Sequence, residues 1–294
     1  MKILILGAAG MAGHIIYNQL NAVEGIEVTG TVHQTRNGAA TNLLSLDIFN
    51  EVEIQQVLDR VKPDLIVNCI GALIHQSNNN PDRAIYTNAY FPHFLKRQAN
   101  DRNARLIHLS TDCVFSGSRG GYQEDDFRDA NDIYGRSKAL GEIIDDKNLT
   151  IRTSIIGPEL KEKGEGLFHW FMSNPKGTTI NGFRSNFWSG VTTLELARFI
   201  KELIADGIPY SGLIHLTNNT KISKYDLLEI MNATYQRELI LSDDKDKPVD
   251  KSFVNTSGYK NDYYVPTYRE MIEAQFEFMV HHNHLYHQYL NKNN

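Results

Sequence analysis

Short runs of continuously apolar residues recur through the first half of the 294-residue chain, and no other feature restricts its fold as strongly. Two of them, "LILG" at residues 4–7 and "LIVNCI" at residues 65–70, are continuous rather than alternating. Strands of this kind are covered on both faces, which is typical of a parallel sheet. Amphipathic stretches such as "NEVEIQQVLDRV" (residues 50–61) separate the runs and predict helices. The alternation predicts an α/β fold, a Rossmann-like doubly wound parallel sheet.

Composition and charge exclude several classes of partner. The formal net charge is −5, and Lys and Arg are not concentrated on one segment, so no nucleic-acid surface is expected. We expect no membrane partner, because no apolar run approaches the length of a bilayer span, and no leader peptide. The two cysteines, Cys69 and Cys113, indicate no disulfide framework and are typical of a reducing compartment. The expected location is therefore cytoplasmic.

The stretch "LGAAGMAG" places Gly7, Gly10 and Gly13 between the first predicted strand and the first predicted helix. Glycines at such a turn let a pyrophosphate approach the N-terminus of the helix. The spacing is G-x-x-G-x-x-G rather than the G-x-G-x-x-G of many dehydrogenases, and a tight turn without a ligand is the alternative. Position and spacing together predict a dinucleotide-binding loop.

The end of the second predicted strand bears on the choice of cofactor. An acidic residue there would bind the adenosine ribose and favour NADH, but "TVHQTRNG" (residues 31–38) contains none. His33 and Arg36 occupy this region, and Arg36 could face the 2′-phosphate of NADPH; a solvated loop arginine is the alternative. NADPH is therefore favoured over NADH. Asp47 could accept a hydrogen bond from the adenine amino group or cap the next helix, although Asn50 is better placed as the cap.

The stretch "IYGRSKALGE" (residues 133–142) places Tyr134 four residues before Lys138, on one face of a helix. A solvated helix surface is the ordinary explanation of such a pair. The other is chemical, because a ketone that receives hydride needs a proton donor, and a nearby ammonium would lower the pKa of the phenol. Lys138 could also hold the ribose hydroxyls of a nicotinamide nucleotide. The following "ALGEIIDD" is expected to continue the helix.

A hydroxyl pair ends the strand predicted at "RLIHLST" (residues 105–111). Ser110 and Thr111 would lie at the carboxyl edge of the sheet, where ligands of α/β proteins collect. Either hydroxyl could orient a substrate carbonyl there.

The order of these motifs resembles the extended short-chain dehydrogenase/reductases, and among them the reductases of nucleotide-linked 4-keto-6-deoxy sugars, the dTDP-4-dehydrorhamnose reductase family. The stretches that carry the resemblance, in chain order, are "LGAAGMAG", "LDIF", "VNCIGA", "YTNA", "STDCVFSG", "YQEDD", "YGRSKALGE" and "IRTSIIG". The resemblance implies Thr111, Tyr134 and Lys138 as the catalytic set, with Ser110 as the fallback hydroxyl. The cofactor contacts that it implies are Gly10, Met11, Ala12, Asp47, Ile48, Gly71, Ala72 and Leu73.

The second half of the chain is expected to bind the substrate. Residues 1–157 would form an NAD(P)-binding Rossmann domain, and residues 158–294 a smaller substrate-binding region from which segments can return to the Rossmann core. Arg184 could face the diphosphate of a nucleotide sugar and Trp188 could line its cleft, whereas core packing explains the aromatic residues equally well. No metal site is expected, because the histidines of "HHNHLYHQ" (residues 281–288) have no carboxylate or cysteine beside them.

Two departures from the resemblance bear on the sugar. Ile155 stands where rhamnose-forming members carry an aromatic residue, and the second half looks more like reductases of N-acetylated UDP-linked 6-deoxy sugars. The expected function is NAD(P)H-dependent reduction of a nucleotide-linked 4-keto-6-deoxyhexose for surface polysaccharide synthesis, by a protein that could form a homodimer. The alternatives are a non-catalytic dinucleotide-binding regulatory subunit, like that of methionine adenosyltransferase, and an epimerase or dehydratase of the same fold.

Overall fold

The computed structural model describes residues 1–34, 42–244, 248–257 and 263–290. The strands are β1 Lys2–Leu6, β2 Glu27–Val32, β3 Leu43–Ser45, β4 Leu65–Asn68, β5 Arg105–Ser110, β6 Leu149–Arg152, β7 Ile155–Ile156, β8 Thr179–Phe183, β9 Asn186–Trp188, β10 Val191–Thr192, β11 Gly212–His215, β12 Ile222–Ser223, β13 Ile240–Asp244 and β14 Val249–Asp250. The helices are α1 Gly13–Asn21, α2 Glu51–Val61, α3 Ile74–Asn79, α4 Pro81–Ile85, α5 Phe91–Asp101, α6 Ile133–Leu140, α7 Leu167–Ser173, α8 Thr193–Ala205, α9 Lys224–Thr234, α10 Tyr268–His281 and α11 Asn283–Leu290.

The large sheet has seven strands in the order β11-β6-β5-β4-β1-β2-β3. The pairs from β6 to β3 are all parallel, with Ile3 opposite both Val28 and Leu65. The continuous apolar runs are buried along their length, as expected of strands that are covered on both faces. The predicted Rossmann-like doubly wound fold is therefore confirmed.

Chain order reverses between β1 and β4, because β2 and β3 lie to one side of β1 while β4, β5 and β6 lie to the other. In open α/β sheets the ligand binds at such a reversal, beyond the carboxyl ends of the strands. The glycine turn follows β1 and the stretch Cys69–Leu73 follows β4, so both border this point.

Local signals in the sequence position the helices around the sheet. Asn50 caps α2, where its side chain accepts a hydrogen bond from Glu53 N at 3.2 Å, as the sequence predicted. Pro92 lies in the first turn of α5, where its missing N–H costs nothing. The apolar faces of α2 and α5 pack in one buried cluster with β1, β4 and β5.

The chain divides into two compact units. Unit 1 comprises Met1–Ser116, Phe127–Arg152 and Ile200–Ile214, and unit 2 comprises Gly117–Asp126, Thr153–Phe199 and His215–Asn294. Unit 2 contains small sheets, in which β8 pairs with β13 and β9 lies between β12 and β14. The domain boundary expected at residue 157 stays a prediction.

Candidate active site

The glycine turn after β1 is built around two close approaches of backbone. Gly7 has a positive φ of 82°, and a Cβ on Gly13 would collide with the carbonyl oxygen of Gly7. Gly10 N donates to Gly7 O at 2.9 Å and closes the turn. Neither a side-chain cap nor an acidic residue occupies the first turn of α1, so the positive end of the helix dipole stays available for an anion.

His14, at the start of α1, adds no positive charge to this turn. Its side chain is buried, and the ring Nδ1–H donates to Gly10 O at 2.8 Å. Burial lowers the pKa of His14 to about 4, against the opposing effect of its hydrogen bonds to the backbone. The imidazole is therefore neutral near pH 7.

A second loop, Gly71–Leu73, follows β4 and is held by a buried asparagine. Asn88 accepts a hydrogen bond from Ala72 N at 2.9 Å and donates to Ala72 O at 3.0 Å. The same side-chain amide donates to Ser137 Oγ at 3.1 Å, and Ser137 precedes Lys138 on α6. Asn88 lies in a turn of π-helix, a distortion that is frequent at functional sites. One side chain thus ties the loop to the helix.

Two acidic side chains order the polar loop before α6. Asp132 accepts from Gly135 N at 2.8 Å and begins the helix, and Asp129 accepts from both N and Oγ of Ser116. Gly135 lets α6 approach the turn after β5, because a Cβ there would collide with Cys113 O. The acidic residues therefore fix the entry of the helix that carries Tyr134 and Lys138.

The hydroxyls of Thr111 and Tyr134 meet beyond the end of β5. Tyr134 is partly buried and shares a hydrogen bond with Thr111. The Thr111 hydroxyl also accepts from Cys113 N at 3.2 Å and donates to Asp112 Oδ1 at 3.0 Å. Burial raises the pKa of Tyr134, and nearby Cys113 and Asp112 raise it further, while the Thr111 hydrogen bond opposes the rise. The expectation that Lys138 lowers the pKa of this phenol is therefore wrong here.

Lys138 instead reaches the main chain of β5. Its Nζ donates to Leu109 O at 2.6 Å and lies 4.0 Å from the position that a Cβ on Gly71 would occupy. Burial lowers the pKa of Lys138 to about 8, and Glu142 is the main charge that opposes the change. The ammonium therefore lies beside the second loop as well as on the same helix as Tyr134.

Ser110 differs from Thr111 in that its hydroxyl bonds a buried carboxylate and not Tyr134. Its hydroxyl donates to Glu142 Oε1 at 2.6 Å inside the protein.

Helix α6 ends at Leu140, so the expected continuation through "ALGEIIDD" is wrong. Gly141 packs closely on Asn88, because a Cβ at Gly141 would collide with the carbonyl oxygen of Asn88. The side chain of the next residue, Glu142, is fully buried. Sequence reasoning assigned no role to Asn88 or Glu142, although both lie inside quoted motifs, "YTNA" and "YGRSKALGE".

Three further predicted cofactor contacts follow strands of the same sheet: His33, Asp47 and Ile48. Asp47 is exposed after β3 and accepts from Phe49 N at 3.0 Å, while the carbonyl of Ile48 accepts from the Tyr86 hydroxyl at 2.9 Å. His33 is exposed just after β2. Arg36 lies outside the described residues. Met11 and Ala12 belong to the glycine turn already described.

The predicted substrate residues lie in unit 2. Arg184 is half exposed, bonds Asp226 Oδ1 at 3.2 Å and lies 3.5 Å from Asp243 Oδ2. Trp188 is buried in β9 and donates to Ser154 Oγ at 2.7 Å. Their roles toward a substrate stay predictions.

The described ranges contain neither a metal-binding cluster nor a membrane-spanning helix. Between residues 1 and 290, outside the three internal gaps, no group of three or more His, Cys, Asp or Glu could hold a metal ion. Over the same ranges, no helix is both long and apolar enough to cross a membrane. The expected absence of a metal site stays a prediction.

The sheet defines the class of fold, a doubly wound Rossmann-like α/β fold with its candidate site at the carboxyl edge of the strands. The profile of the RmlD substrate binding domain family matches residues 1–277, and the chain belongs to that family. The resemblance inferred from the motifs is confirmed.

Individual relatives and a solved structure agree with this assignment. The "Probable low-salt glycan biosynthesis reductase Agl14" of Haloferax volcanii is 28% identical over 238 residues, 78% of each chain. The dTDP-4-dehydrorhamnose reductase of Aggregatibacter actinomycetemcomitans is 26% identical over 236 residues, 76% of each chain. The crystal structure of dTDP-4-dehydrorhamnose reductase from Bacillus anthracis in complex with NADP superimposes with a TM-score of 0.76 at 21% identity, covering 94% of this chain and 99% of that one. The last comparison supports the fold alone.

Proposed function

We propose that the protein is an NAD(P)H-dependent reductase of a nucleotide-linked 4-keto-6-deoxyhexose that serves surface polysaccharide synthesis. The observation that carries the proposal is the convergence of Thr111, Tyr134 and Lys138 at the carboxyl edge of the sheet, beside two loops suited to a dinucleotide. Family membership and the names of the relatives support the same reaction.

The residues present fit a dinucleotide. The first turn of α1 has no side-chain cap and no acidic residue, so its N–H groups would meet a pyrophosphate. Lys138 and the loop that Asn88 holds would meet the nicotinamide ribose. Asp47 is free to accept a hydrogen bond from adenine. The preference for NADPH over NADH depends on His33 and Arg36 and remains part of the proposal.

The side chains of this site complete the reduction. When bound, the reduced nicotinamide supplies a hydride to the carbonyl carbon. The Thr111 hydroxyl orients the carbonyl, and the Tyr134 hydroxyl gives its proton to the oxygen, which becomes the alcohol. An alkoxide is far more basic than a phenolate, so the transfer is favourable even from a phenol whose pKa burial has raised. The ammonium of Lys138 would hold the nicotinamide ribose beside this hydroxyl, and the phenolate regains its proton from solvent.

A panel of dTDP- and UDP-linked 4-keto-6-deoxy sugars, with and without a 2-N-acetyl group, tests the proposal. We expect NADPH consumption with at least one of them, followed by the absorbance of the reduced nicotinamide. Tyr134→Phe should lower kcat by about 1,000-fold, within the usual range for loss of a general acid, with little change in the Kd for NADPH.

Two results would contradict this assignment. Full turnover by Tyr134→Phe would exclude the phenol as the proton donor. NADPH binding without oxidation by any keto sugar would favour the non-catalytic regulatory subunit, and interconversion without net NADPH consumption would favour an epimerase.

A further inference from the structure

Glu142 lies just beyond the end of α6, and its side chain is fully buried. One carboxylate oxygen accepts from Ser110 Oγ at 2.6 Å and from Arg152 Nε at 2.7 Å. The other accepts from Arg152 Nη2 at 2.6 Å and from Arg128 Nη1 at 2.9 Å. Four hydrogen bonds from three segments therefore fix this carboxylate.

The electrostatics of the cluster keep Glu142 ionised. Burial alone would raise the pKa of Glu142, but hydrogen bonds from Arg152, Ser110 and Arg128 together lower it. The side chain of Arg152 is also fully buried, and its guanidinium lies 4.9 Å from the centre of the Phe115 ring. Arg128 is about one-third exposed. A permanent negative charge thus lies between two guanidiniums inside unit 1.

The strand segment that Glu142 holds also carries the reactive groups. Ser110 stands between Leu109, whose carbonyl accepts from Lys138 Nζ, and Thr111, whose hydroxyl reaches Tyr134. A carboxylate that anchors Ser110 therefore fixes the neighbours of Ser110 on both sides.

We propose that Glu142 is a positioning residue of this site: its buried carboxylate ties the end of β5, where Leu109 O accepts from Lys138, to the end of the helix that carries Lys138. The proposal deepens the proposed reductase function and rests on it. It assigns no contact between Glu142 and the substrate or the cofactor. Arg152 and Ser110 hold the carboxylate in place, and Arg128 moderates its charge from the loop before α6.

Other titratable groups face Lys138 and take the neutral form near pH 7. Burial raises the pKa of Cys69, which follows β4, to about 12, so this thiol stays protonated. Burial and the charge of Lys138 lower the pKa of His108 on β5 well below its usual value. Tyr134 on the same helix has a raised pKa. Glu142 is therefore the ionised acidic partner among the described groups that act on Lys138.

The test is a pH titration of Lys138 in the full-length protein without cofactor, by NMR of isotope-labelled lysine side chains. The resonance is assigned by its absence in Lys138→Met. The wild-type midpoint is expected at about 8. Glu142→Gln should lower it by about one unit or more, the usual effect of losing a close opposite charge, and Glu142→Asp should restore most of the shift.

Two further variants separate charge from general disruption. A general loss of structure would raise the midpoint toward the ordinary value of 10.5, opposite to the fall expected of Glu142→Gln. Arg128→Gln removes a partly exposed cation, so the midpoint should rise modestly, and circular dichroism must show that this variant is folded. Glu195→Gln removes another buried carboxylate, which accepts from the Tyr263 hydroxyl at 2.6 Å, and should leave the midpoint unchanged.

An unchanged midpoint in folded Glu142→Gln, or a fall in Arg128→Gln, would overturn the proposal. If Glu142→Gln does not fold, the sign of the shift in Arg128→Gln decides alone, and no shift counts against the proposal. The titration needs no substrate, so failure of every keto sugar would refute the reductase function and leave this test intact. In an active protein, Glu142→Gln should also move the fall of NADPH affinity to lower pH.

Discussion

The edge of the sheet in unit 1 and the surface around Arg184 in unit 2 hold a cation in opposite ways. Lys138 is buried and donates to one main-chain carbonyl at 2.6 Å. Arg184 is half exposed, lies near two carboxylates and stacks on Tyr225 at 3.5 Å from the ring centre. The buried ammonium is costly in the free protein and available to a ligand, whereas the exposed guanidinium already has its partners.

The largest expected effect of this contrast is on activity. Lys138→Met should lower kcat/KM for the keto sugar by roughly 100-fold or more, because the nicotinamide ribose loses the ammonium that would position it against the substrate carbonyl. The Kd for NADPH should rise as well, since the ammonium faces the ribose in the proposed complex. Steady-state kinetics and nucleotide fluorescence measure the two effects. Unchanged kinetics would remove Lys138 from the catalytic set.

The same substitution should have the opposite effect on stability. The pKa of Lys138 is lowered on folding, from an ordinary value of 10.5 to about 8, so the unfolded chain binds the proton more tightly. The protonated side chain of Lys138 therefore lowers the free energy of unfolding below about pH 8, and this destabilisation disappears as the pH rises from 8 to 10.5. At pH 7, the free energy of unfolding of Lys138→Met should therefore exceed that of the wild type by about 1 kcal/mol or more. The variant should accordingly unfold at a higher urea concentration.

A pH series sharpens this prediction. The stability advantage of Lys138→Met over wild type should shrink between about pH 8 and 10.5, as wild-type Lys138 loses its proton. Urea denaturation of both proteins at several pH values measures the difference. A constant difference across this range would mean that the ammonium is not strained by burial.

The smallest expected effect is at Arg184. Arg184→Gln removes ion pairs that are about half exposed, so the free energy of unfolding should change by less than about 0.5 kcal/mol. If Arg184 binds the diphosphate, KM for the nucleotide sugar should rise about tenfold with kcat unchanged. Arg198→Gln, which removes an exposed partner of Glu195, is the control and should leave KM as it is.

Much of the architecture could be predicted from local sequence. Continuous apolar runs indicated strands covered on both faces, and Asn50 and Pro92 marked helix starts, because these signals depend on neighbouring residues. The spacing of Tyr134 and Lys138 placed both on one helix for the same reason.

The electrostatics of the site could not be predicted in this way. The lysine was expected to act on the phenol one turn away, but its ammonium reaches the carbonyl of Leu109, 29 residues distant in the chain. The partners of Glu142 come from Ser110 and Arg152, 32 and 10 residues away, and only folding brings them together. Burial then reverses the direction expected for the pKa of Tyr134.

The amide of Asn88 pairs with both main-chain groups of Ala72 much as a neighbouring strand would. Ser77, inside the segment that connects Ala72 to Asn88, donates to the same carbonyl at 3.1 Å. Two buried side chains, one inside this connection and one at its end, therefore clamp a single residue, and a change at either of them should be felt at the loop.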